Sequence, residues 1–302
     1  MQIANPIYDV VFKYLLDDNR IAKLIISAII GEEIEELDFR PTEYRSDIER
    51  KSLTVYRLDF TAKIKTTDGY KQVIIEIQKA KFPTDIMRFR KYLAEQYASN
   101  ENIYKVEEPE ESYARALPII SIYLLGHTLV HTDAPVIKVA RKYYNVISGE
   151  VIKEKEEFIE SLTHDSFIIQ IPYLKDKRQS ELLMLLSVFD QSTIKKDTHI
   201  LNIKEEDFPE KYQPVIRRLQ KAIAEPKLRK TMDVEDEILK ELENLERIIA
   251  KKEKIIGEMK ETVEENEKAI EENEKAIEEK DKTLEEKDKR IEELERKLKV
   301  KH

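Results

Sequence analysis

The chain has 302 residues, with 62 acidic and 53 basic side chains and a net charge of −9 at pH 7. It contains no cysteine, which excludes disulfides and thiolate metal sites and fits a reducing cytoplasm. Its most apolar stretch, residues 21–30, is short and is interrupted by Lys23 and Ser27, so no membrane span is expected. The first residues lack the basic and apolar regions of a signal peptide, and a cytoplasmic protein is expected.

The negative charge is concentrated towards the C-terminal end. Residues 233–302 hold 25 acidic and 17 basic side chains, whereas residues 1–232 hold 37 and 36. An acidic protein is not drawn to phosphate groups by its total charge. The nearly neutral N-terminal part is nevertheless free to carry a local basic patch.

The first predicted elements are helices. The pair Asn5-Pro6 is typical of a helix start, and a second, apolar helix follows over residues 21–30. Asp9 and Lys13 are four residues apart on the first helix, and two interpretations of them remain open. They are either an ordinary ion pair on the helix surface or polar groups that support a site on a neighbouring element.

Residues 53–78 predict a β-hairpin, which follows a short strand over residues 34–40. Polar and apolar side chains alternate over residues 55–63, as they do in a half-buried strand. The Asp-Gly pair at positions 68 and 69 indicates a tight turn. The second strand, residues 70–78, is rich in Val and Ile.

The register of this hairpin decides where two carboxylates lie. A loop over residues 66–69 pairs positions whose numbers sum to 135, which puts Asp59 opposite Glu76. A two-residue loop gives a sum of 137 and makes them diagonal neighbours on the same face. Adjacent carboxylates repel each other, and a divalent cation such as Mg²⁺ removes that repulsion. Two solvated surface acids are the alternative interpretation.

Basic and aromatic side chains follow the hairpin, on a predicted helix over residues 84–100 and the segment before it. Such a mixture suits a DNA backbone, although an ordinary solvated helix face is the alternative for each residue. An apolar strand over residues 118–125 comes next. The basic residues of this candidate DNA-binding cluster are Lys79, Lys81, Arg88, Arg90 and Lys91.

These motifs resemble the PD-(D/E)XK nuclease superfamily, and in particular its transposase-like branch, which includes the recombination-promoting nucleases. The resemblance covers roughly residues 5–130, where helix, three strands, helix and strand follow in the order that the nuclease core requires. The residues that carry it are Asp59 with the ExQ segment Glu76-Ile77-Gln78, the DxxFK-like segment from Asp9 to Lys13, and Arg88 with Tyr92 in an R-x-x-Y pattern.

The resemblance implies a metal-dependent DNA endonuclease. Asp59, Glu76 and the backbone carbonyl of Ile77 would hold Mg²⁺ or Mn²⁺, which acidifies a bound water and offsets charge on the scissile phosphate. Gln78 stands where the superfamily has Lys, so it orients water through hydrogen bonds instead of supplying a cation. Lys79 is expected to point to the opposite face of the sheet and to be a poor replacement.

Three domains are expected: a core over residues 1–130, an α+β extension packed on it over residues 131–230, and a coiled coil over residues 231–302. Strands are predicted over residues 136–145 and 167–174, and helices over residues 181–189 and 208–224.

The tail carries an apolar residue at every seventh position, the pattern of a coiled coil. The second seam, three residues later, is polar in its middle, at Asn266, Asn273, Lys280 and Lys287. We expect residues 233–302 to join copies of the chain into a homo-oligomer, and both a parallel and an antiparallel arrangement remain open. A single long helix is the alternative. The first seam consists of Leu242, Ile249, Ile256, Val263, Ile270, Ile277, Leu284, Ile291 and Leu298.

The predicted fold is α/β, with a restriction-endonuclease-like core in which helices flank a mixed sheet, additional α+β elements and a long C-terminal coiled-coil helix. The predicted function is hydrolysis of DNA phosphodiester bonds, linked to transposition, recombination or defence. The acidic total and the missing Lys motivate an alternative: a catalytically weak or inactive module that binds DNA or a protein partner. A purely structural assembly protein is a third hypothesis.

Overall fold

The computed structural model describes residues 1–43, 58–67, 69–79, 85–107, 112–176 and 178–299. The chain divides into two compact units, Met1–Leu239 and Lys240–His302. No helix among the described residues is long and apolar enough to cross a membrane.

The described residues form helices and strands in the following order along the chain. The helices are α1 (Asp9–Leu16), α2 (Asn19–Ile30), α3 (Asp85–Ala98), α4 (Glu157–Leu162), α5 (Glu181–Leu186), α6 (Gln213–Ile223) and α7 (Pro226–Lys299). The strands are β1 (Gln2–Ala4), β2 (Glu36–Glu43), β3 (Leu58–Thr66), β4 (Gly69–Gln78), β5 (Ile103–Glu107), β6 (Ser112–Ala116), β7 (Ile119–Leu125), β8 (Val136–Val139), β9 (Tyr143–Tyr144), β10 (Val151–Ile152), β11 (His164–Gln170) and β12 (Ile200–Asn202).

The first unit is built on a mixed sheet of six strands in the order β2-β3-β4-β7-β11-β8. The strands β2, β3 and β4 pair antiparallel, whereas β7 runs parallel to β4 and β11 runs parallel to β7. A parallel neighbour requires a crossover, and the chain makes it through α3 and the β5-β6 hairpin. The predicted α/β class, with helices flanking a mixed sheet and a long C-terminal helix, is confirmed.

Two strands of this sheet come from the segment predicted as an extension. The strand β11 pairs with β7, and β8 pairs antiparallel with β11. The sheet therefore continues beyond residue 130. The sequence predicts a strand over residues 167–174, and the structure places it at His164–Gln170, but an apolar run does not specify which strand it pairs with.

The apolar core lies on the sheet face that packs against α1 and α2. Alternate residues of neighbouring strands are paired there: Ala62 with Val73 across the β3-β4 hairpin, and Val73 with Ile120 across the β4-β7 pair. The helix α2 is capped at its start by the Asp18 carboxylate and ends at Gly31, whose φ is 74°. The cap predicted at Asn5 is wrong, because α1 begins at Asp9 and the Asn5 amide instead bonds Gln191 and Thr198.

The first turns of α7 are tied to the first unit by hydrogen bonds. The Glu235 carboxylate accepts the backbone N–H groups of Asp9 and Val10, at 3.1 and 3.0 Å, and so caps α1 from a distant part of the chain. Burial raises the pKa of Glu235 from 4.5 to about 7, even though these two hydrogen bonds favour its charged form.

This burial predicts a specific dependence of stability on pH. Below about pH 4.5 Glu235 is neutral whether the chain is folded or unfolded. Between pH 4.5 and 7 the unfolded chain ionises first, so this group lowers the free energy of unfolding, and above pH 7 the loss is constant. The variant Glu235→Gln lacks this effect, so its stability relative to the parent protein should rise by about 3 kcal/mol between pH 4.5 and 8.

Urea unfolding followed by tyrosine fluorescence measures this difference in the first unit, because every tyrosine lies before residue 213. A stability difference between the two proteins that stays constant across this pH range would contradict the burial of the Glu235 charge.

Candidate active site

The register of the β3-β4 hairpin is the one whose paired residue numbers sum to 135. Phe60 pairs with Ile75, Lys65 with Tyr70, and the pairing continues to Thr66 and Gly69. This confirms the register predicted for the longer loop, although the ladder runs one pair further towards the turn. Continuing the register by one residue from Phe60 would bring Asp59 opposite Glu76. The backbone of Asp59 pairs with Thr42 of β2, and its side chain lies outside the described part of the structure.

Three polar side chains of β4 lie on the face of the sheet opposite the apolar core. Strand residues alternate between faces, so Gln72, Glu76 and Gln78 share this face. Glu76 is only 8% exposed and Gln78 only 5%. The interpretation of two solvated surface acids is therefore wrong for Glu76.

Neighbouring strands add further buried polar groups to the same face. Thr61 of β3 and Ser121 of β7 both pair with Ile74, and both are buried. We refer to the side chains of Thr61, Gln72, Glu76, Gln78 and Ser121 as the polar face. Sheet faces inside proteins are usually apolar, because burying a polar group without a hydrogen bond costs free energy.

The amide of Gln78 is unusual even within the polar face. Neither its oxygen nor its nitrogen has a hydrogen-bond partner among the described residues. The side-chain oxygen of Gln72 also lacks a hydrogen-bond partner among them. Most buried amides are hydrogen-bonded, so exceptions require an explanation. A bound water, ion or substrate group is such an explanation, and it makes this end of β4 the candidate site.

The helix α3 covers the polar face. The ring of Phe89 lies 5.2 Å from the ring of Tyr123, which pairs with Glu76 across the β4-β7 ladder. Tyr97, near the end of α3, lies 2.9 Å from the His164 ring nitrogen of β11. A site on this face is therefore enclosed by the sheet below and an aromatic-rich helix above.

The predicted DNA-binding residues are distributed over two places. Arg90 and Lys91 are exposed on α3, where Lys91 lies 3.8 Å from Glu95. Arg88 belongs to the same helix, but its side chain lies outside the described part, as does Lys81 altogether. Of the five predicted DNA-binding residues, Arg90 and Lys91 are therefore the two whose side chains are described as exposed on α3.

Lys79 lies apart from this cluster. It turns away from Glu76 and Gln78, as predicted, because the alternation of β4 continues one residue past its end. Its ammonium group forms an ion pair with Asp236 and lies 3.6 Å from the centre of the Tyr8 ring. The positive charge of Lys79 is therefore paired on the side of the sheet opposite Glu76 and Gln78.

Asp9 and Lys13 also belong to the opposite side. Both lie on α1, whose buried residues pack in the same core as Val73 and Ile75. The structure thus places them on an element that covers the apolar face, whereas Glu76 and Gln78 occupy the polar face.

One cluster was not anticipated from the sequence. The Asp236 carboxylate accepts a hydrogen bond from the Tyr8 hydroxyl at 3.0 Å and lies 2.9 Å from Nε2 of His199. It also forms the ion pair with Lys79. Burial acts to raise the pKa of Asp236, but the hydrogen bonds from Lys79 and His199 hold it below its ordinary value. These residues come from four distant parts of the chain, so no sequence spacing could have revealed them.

Gly126 fixes the end of β4 from its other side. Its N–H donates to the carbonyl of Gln78 at 2.6 Å. A Cβ atom at this position would lie 2.3 Å from the carbonyl oxygen of Lys79, which leaves no room for any other residue. The backbone beside the Gln78 amide is therefore held by close contact with the chain after β7.

The donor set implied by the resemblance suits a hard cation. Carboxylates and a backbone carbonyl are the ligands that Mg²⁺ prefers. Among the side chains that the structure describes, no group of three or more His, Asp or Glu residues is arranged to hold a metal ion. The Asp59 carboxylate, the second acid of the implied set, is outside that description.

Comparisons with protein-family models, with curated proteins and with solved structures found no match to this chain. The resemblance to the nuclease superfamily therefore depends on the residues and their placement in the fold.

If the Gln78 amide is kept for a ligand, replacing it with a hydrocarbon should stabilise the ligand-free protein. We expect Gln78→Leu to raise the free energy of unfolding by about 1 kcal/mol, because a buried amide without partners is removed. Urea unfolding followed by tyrosine fluorescence measures the change.

Gln170 provides the matched control on β11. It is equally buried, but its amide bonds the N–H of Leu129 and the carbonyls of Thr132 and Ala134. Gln170→Leu should therefore lower the free energy of unfolding by about 2 kcal/mol or more. Equal destabilisation by both substitutions would mean that Gln78 has structural partners of its own.

Proposed function

We propose that this chain is a metal-dependent DNA endonuclease of the PD-(D/E)XK type, whose site lies on the polar face at the end of β4. The observation that carries the proposal is the pair Glu76 and Gln78. They are a buried carboxylate and a buried amide on one face of the central hairpin, and the amide lacks partners among the described residues. The hairpin register supports Asp59 as the second acid.

The order of elements agrees with this proposal. The helices α1 and α2 precede the antiparallel strands β2, β3 and β4, and α3 then leads across to the parallel strand β7. This is the helix, three strands, helix and strand that the nuclease core requires. The likeness concerns order and pairing, and it is the reason for preferring a nuclease to other metal-dependent hydrolases.

Each residue then has a defined role. Asp59, Glu76 and the carbonyl of Ile77 would hold Mg²⁺ or Mn²⁺, and the bound ion would supply an acidified water and offset charge on the phosphate. The Gln78 amide would accept and donate hydrogen bonds to orient that water. Arg90 and Lys91, exposed on α3 above the polar face, would attract the DNA backbone.

A non-catalytic DNA- or protein-binding module is the second candidate, and the position of Lys79 favours it. Nuclease sites of this type use a Lys next to the metal, where its charge stabilises the phosphate. In this chain Gln78 occupies that position, and Lys79 is paired with Asp236 on the opposite side of the sheet. Catalysis would therefore depend on the metal and Gln78 without a cation from β4.

We further propose that the protein acts on DNA in the cytoplasm as a homo-oligomer joined by its tail. Two copies of the site would let each cut one strand of a duplex. Transposition, recombination and defence all use such cuts, and the substrate sequence would decide between them.

A plasmid-nicking assay in Mg²⁺ or Mn²⁺ tests the catalytic proposal. Glu76→Ala and Asp59→Ala should each lower the nicking rate by on the order of 100-fold or more, because charge stabilisation at the phosphate is lost. Glu36→Ala, which removes an exposed carboxylate of β2, is the matched control and should keep full activity. Nicking by Glu76→Ala at the parent rate would overturn the assignment.

Gln78→Lys separates the two candidate functions in the same assay. Restoring the usual cation should maintain or raise the nicking rate if Gln78 faces the phosphate. If the parent protein and Gln78→Lys both bind DNA but neither nicks it, the non-catalytic module is the better description.

A further inference from the structure

The second unit carries a continuous apolar stripe along α7. Its first-seam residues, at heptad position a, are between 52% and 58% exposed. A long helix with one apolar stripe and charged remaining sides requires a partner helix. The stripe residues with this exposure are Ile249, Ile256, Val263, Ile270, Ile277, Leu284 and Ile291.

The charges of α7 fall into two groups. On the side away from the stripe, lysines at heptad position f pair with acids of the same helix, as Lys275 does with Glu271 at 2.6 Å and Lys282 with Glu278 at 2.9 Å. By contrast, the lysines of the second seam, at position d, form no ion pair with any described residue. These are Lys252, Lys280 and Lys287.

Each second-seam polar residue is followed directly by an acid at position e. Lys280 precedes Asp281 and Lys287 precedes Asp288, and Glu267 and Glu274 follow the two seam asparagines in the same way. These acids also form no ion pair with described residues. The seam lysines and the flanking acids are therefore both available to a second helix.

A parallel partner satisfies both groups. In a parallel pair, a side chain at d packs into a hole that includes the e residue of the facing helix. Lys280 of one copy then meets Asp281 of the other, and Lys287 meets Asp288. Each lysine also faces its own counterpart across the seam, and the acids beside each such pair offset the like charge. The apolar a residues meet their own counterparts, so isoleucine packs on isoleucine.

An antiparallel partner creates two conflicts. It places position e beside position e, and the acids at 267, 274, 281 and 288 would then face one another. It also packs the a residues against the d residues, which would bury isoleucines against Asn and Lys side chains. Charge and polarity therefore both select the parallel orientation.

The two asparagines select the register within that orientation. The segment EENEKAI occurs at 264–270 and again at 271–277, so a slip of seven residues would preserve most of the pattern. In register, Asn266 and Asn273 each meet their own counterpart and can exchange hydrogen bonds. A slip would set Leu245 against Lys252 and Lys287 against Leu294, so the in-register pair is preferred.

The lysines also limit the number of strands. A lysine at d must keep its ammonium group in water or beside an acid, and a two-stranded coiled coil leaves its seam the most open. Larger bundles would enclose these lysines further.

We propose that residues 242–294 form a parallel, in-register, two-stranded coiled coil between two copies of this chain. Its recognition code is the contact of seam lysines at d with acids at e of the partner. The proposal depends on the tail alone and stands whether or not the first unit cleaves DNA.

Because the chain has no cysteine, a single introduced cysteine reports the orientation in the full-length protein. Leu294→Cys places a thiol at d near the end of the seam. Under mild oxidation a parallel in-register pair brings the two thiols together, so nearly all of the chain should run as a covalent dimer. The matched control Lys289→Cys, at position f on the outer side, should cross-link at least about tenfold less.

The remaining outcomes overturn the proposal. Equal cross-linking of the two variants, or a monomer in light scattering, would exclude a seam contact at residue 294. Efficient cross-linking only when Leu245→Cys and Ile291→Cys proteins are mixed, which pairs position d with position a, would show an antiparallel pair. If circular dichroism shows that Leu294→Cys loses helix, Leu245→Cys alone makes the same test at the other end.

A charge exchange tests the recognition code itself. Lys280→Glu with Lys287→Glu should raise the dissociation constant of the dimer at least about tenfold, because four acids then meet four acids. Adding Asp281→Lys and Asp288→Lys should restore it to within about threefold. Sedimentation equilibrium measures both values, and failure of the second pair to rescue the first would refute the d-to-e contact.

Discussion

The pairing of β4 with β3 on one side and with β7 on the other determines which side chains lie on each face of the sheet. The register places Val73 and Ile75 on the face that builds the apolar core, and it places Gln72, Glu76 and Gln78 on the other face. A slip of one residue would exchange the two sets and would bury a carboxylate among aliphatic side chains. The stability of the core thus fixes the geometry of the candidate site.

The hairpin was predictable because local and global preferences agree there. The Asp-Gly pair marks the position of the turn and the alternating pattern decides which face joins the apolar core, while the observed register pairs Gly69 with Thr66. The addition of β11 and β8 to the sheet was not predictable, since an apolar run carries no information about its partner strand. The Asp236 cluster and the capping of α1 by Glu235 were missed for a related reason: both join residues far apart in sequence.

The end of β4 has a different chemical role on each side of the sheet. Gln78 contributes a buried amide to the polar face, and Lys79, the next residue, contributes a cation that holds Asp236 at the start of α7. Gly126 lies in close contact with the backbone carbonyls of Gln78 and Lys79, and its N–H donates to the carbonyl of Gln78. The strand end that carries the candidate site is therefore held by Gly126 and by the ion pair between Lys79 and Asp236.

Metal binding by the folded protein is the most direct test of the central claim that the polar face is a cation site. Mn²⁺ titrated into full-length protein and followed by electron paramagnetic resonance should show at least one site per chain that is lost in Glu76→Gln and unchanged in Glu36→Gln. Binding that is equal in all three proteins, or absent at millimolar Mn²⁺, would contradict the account.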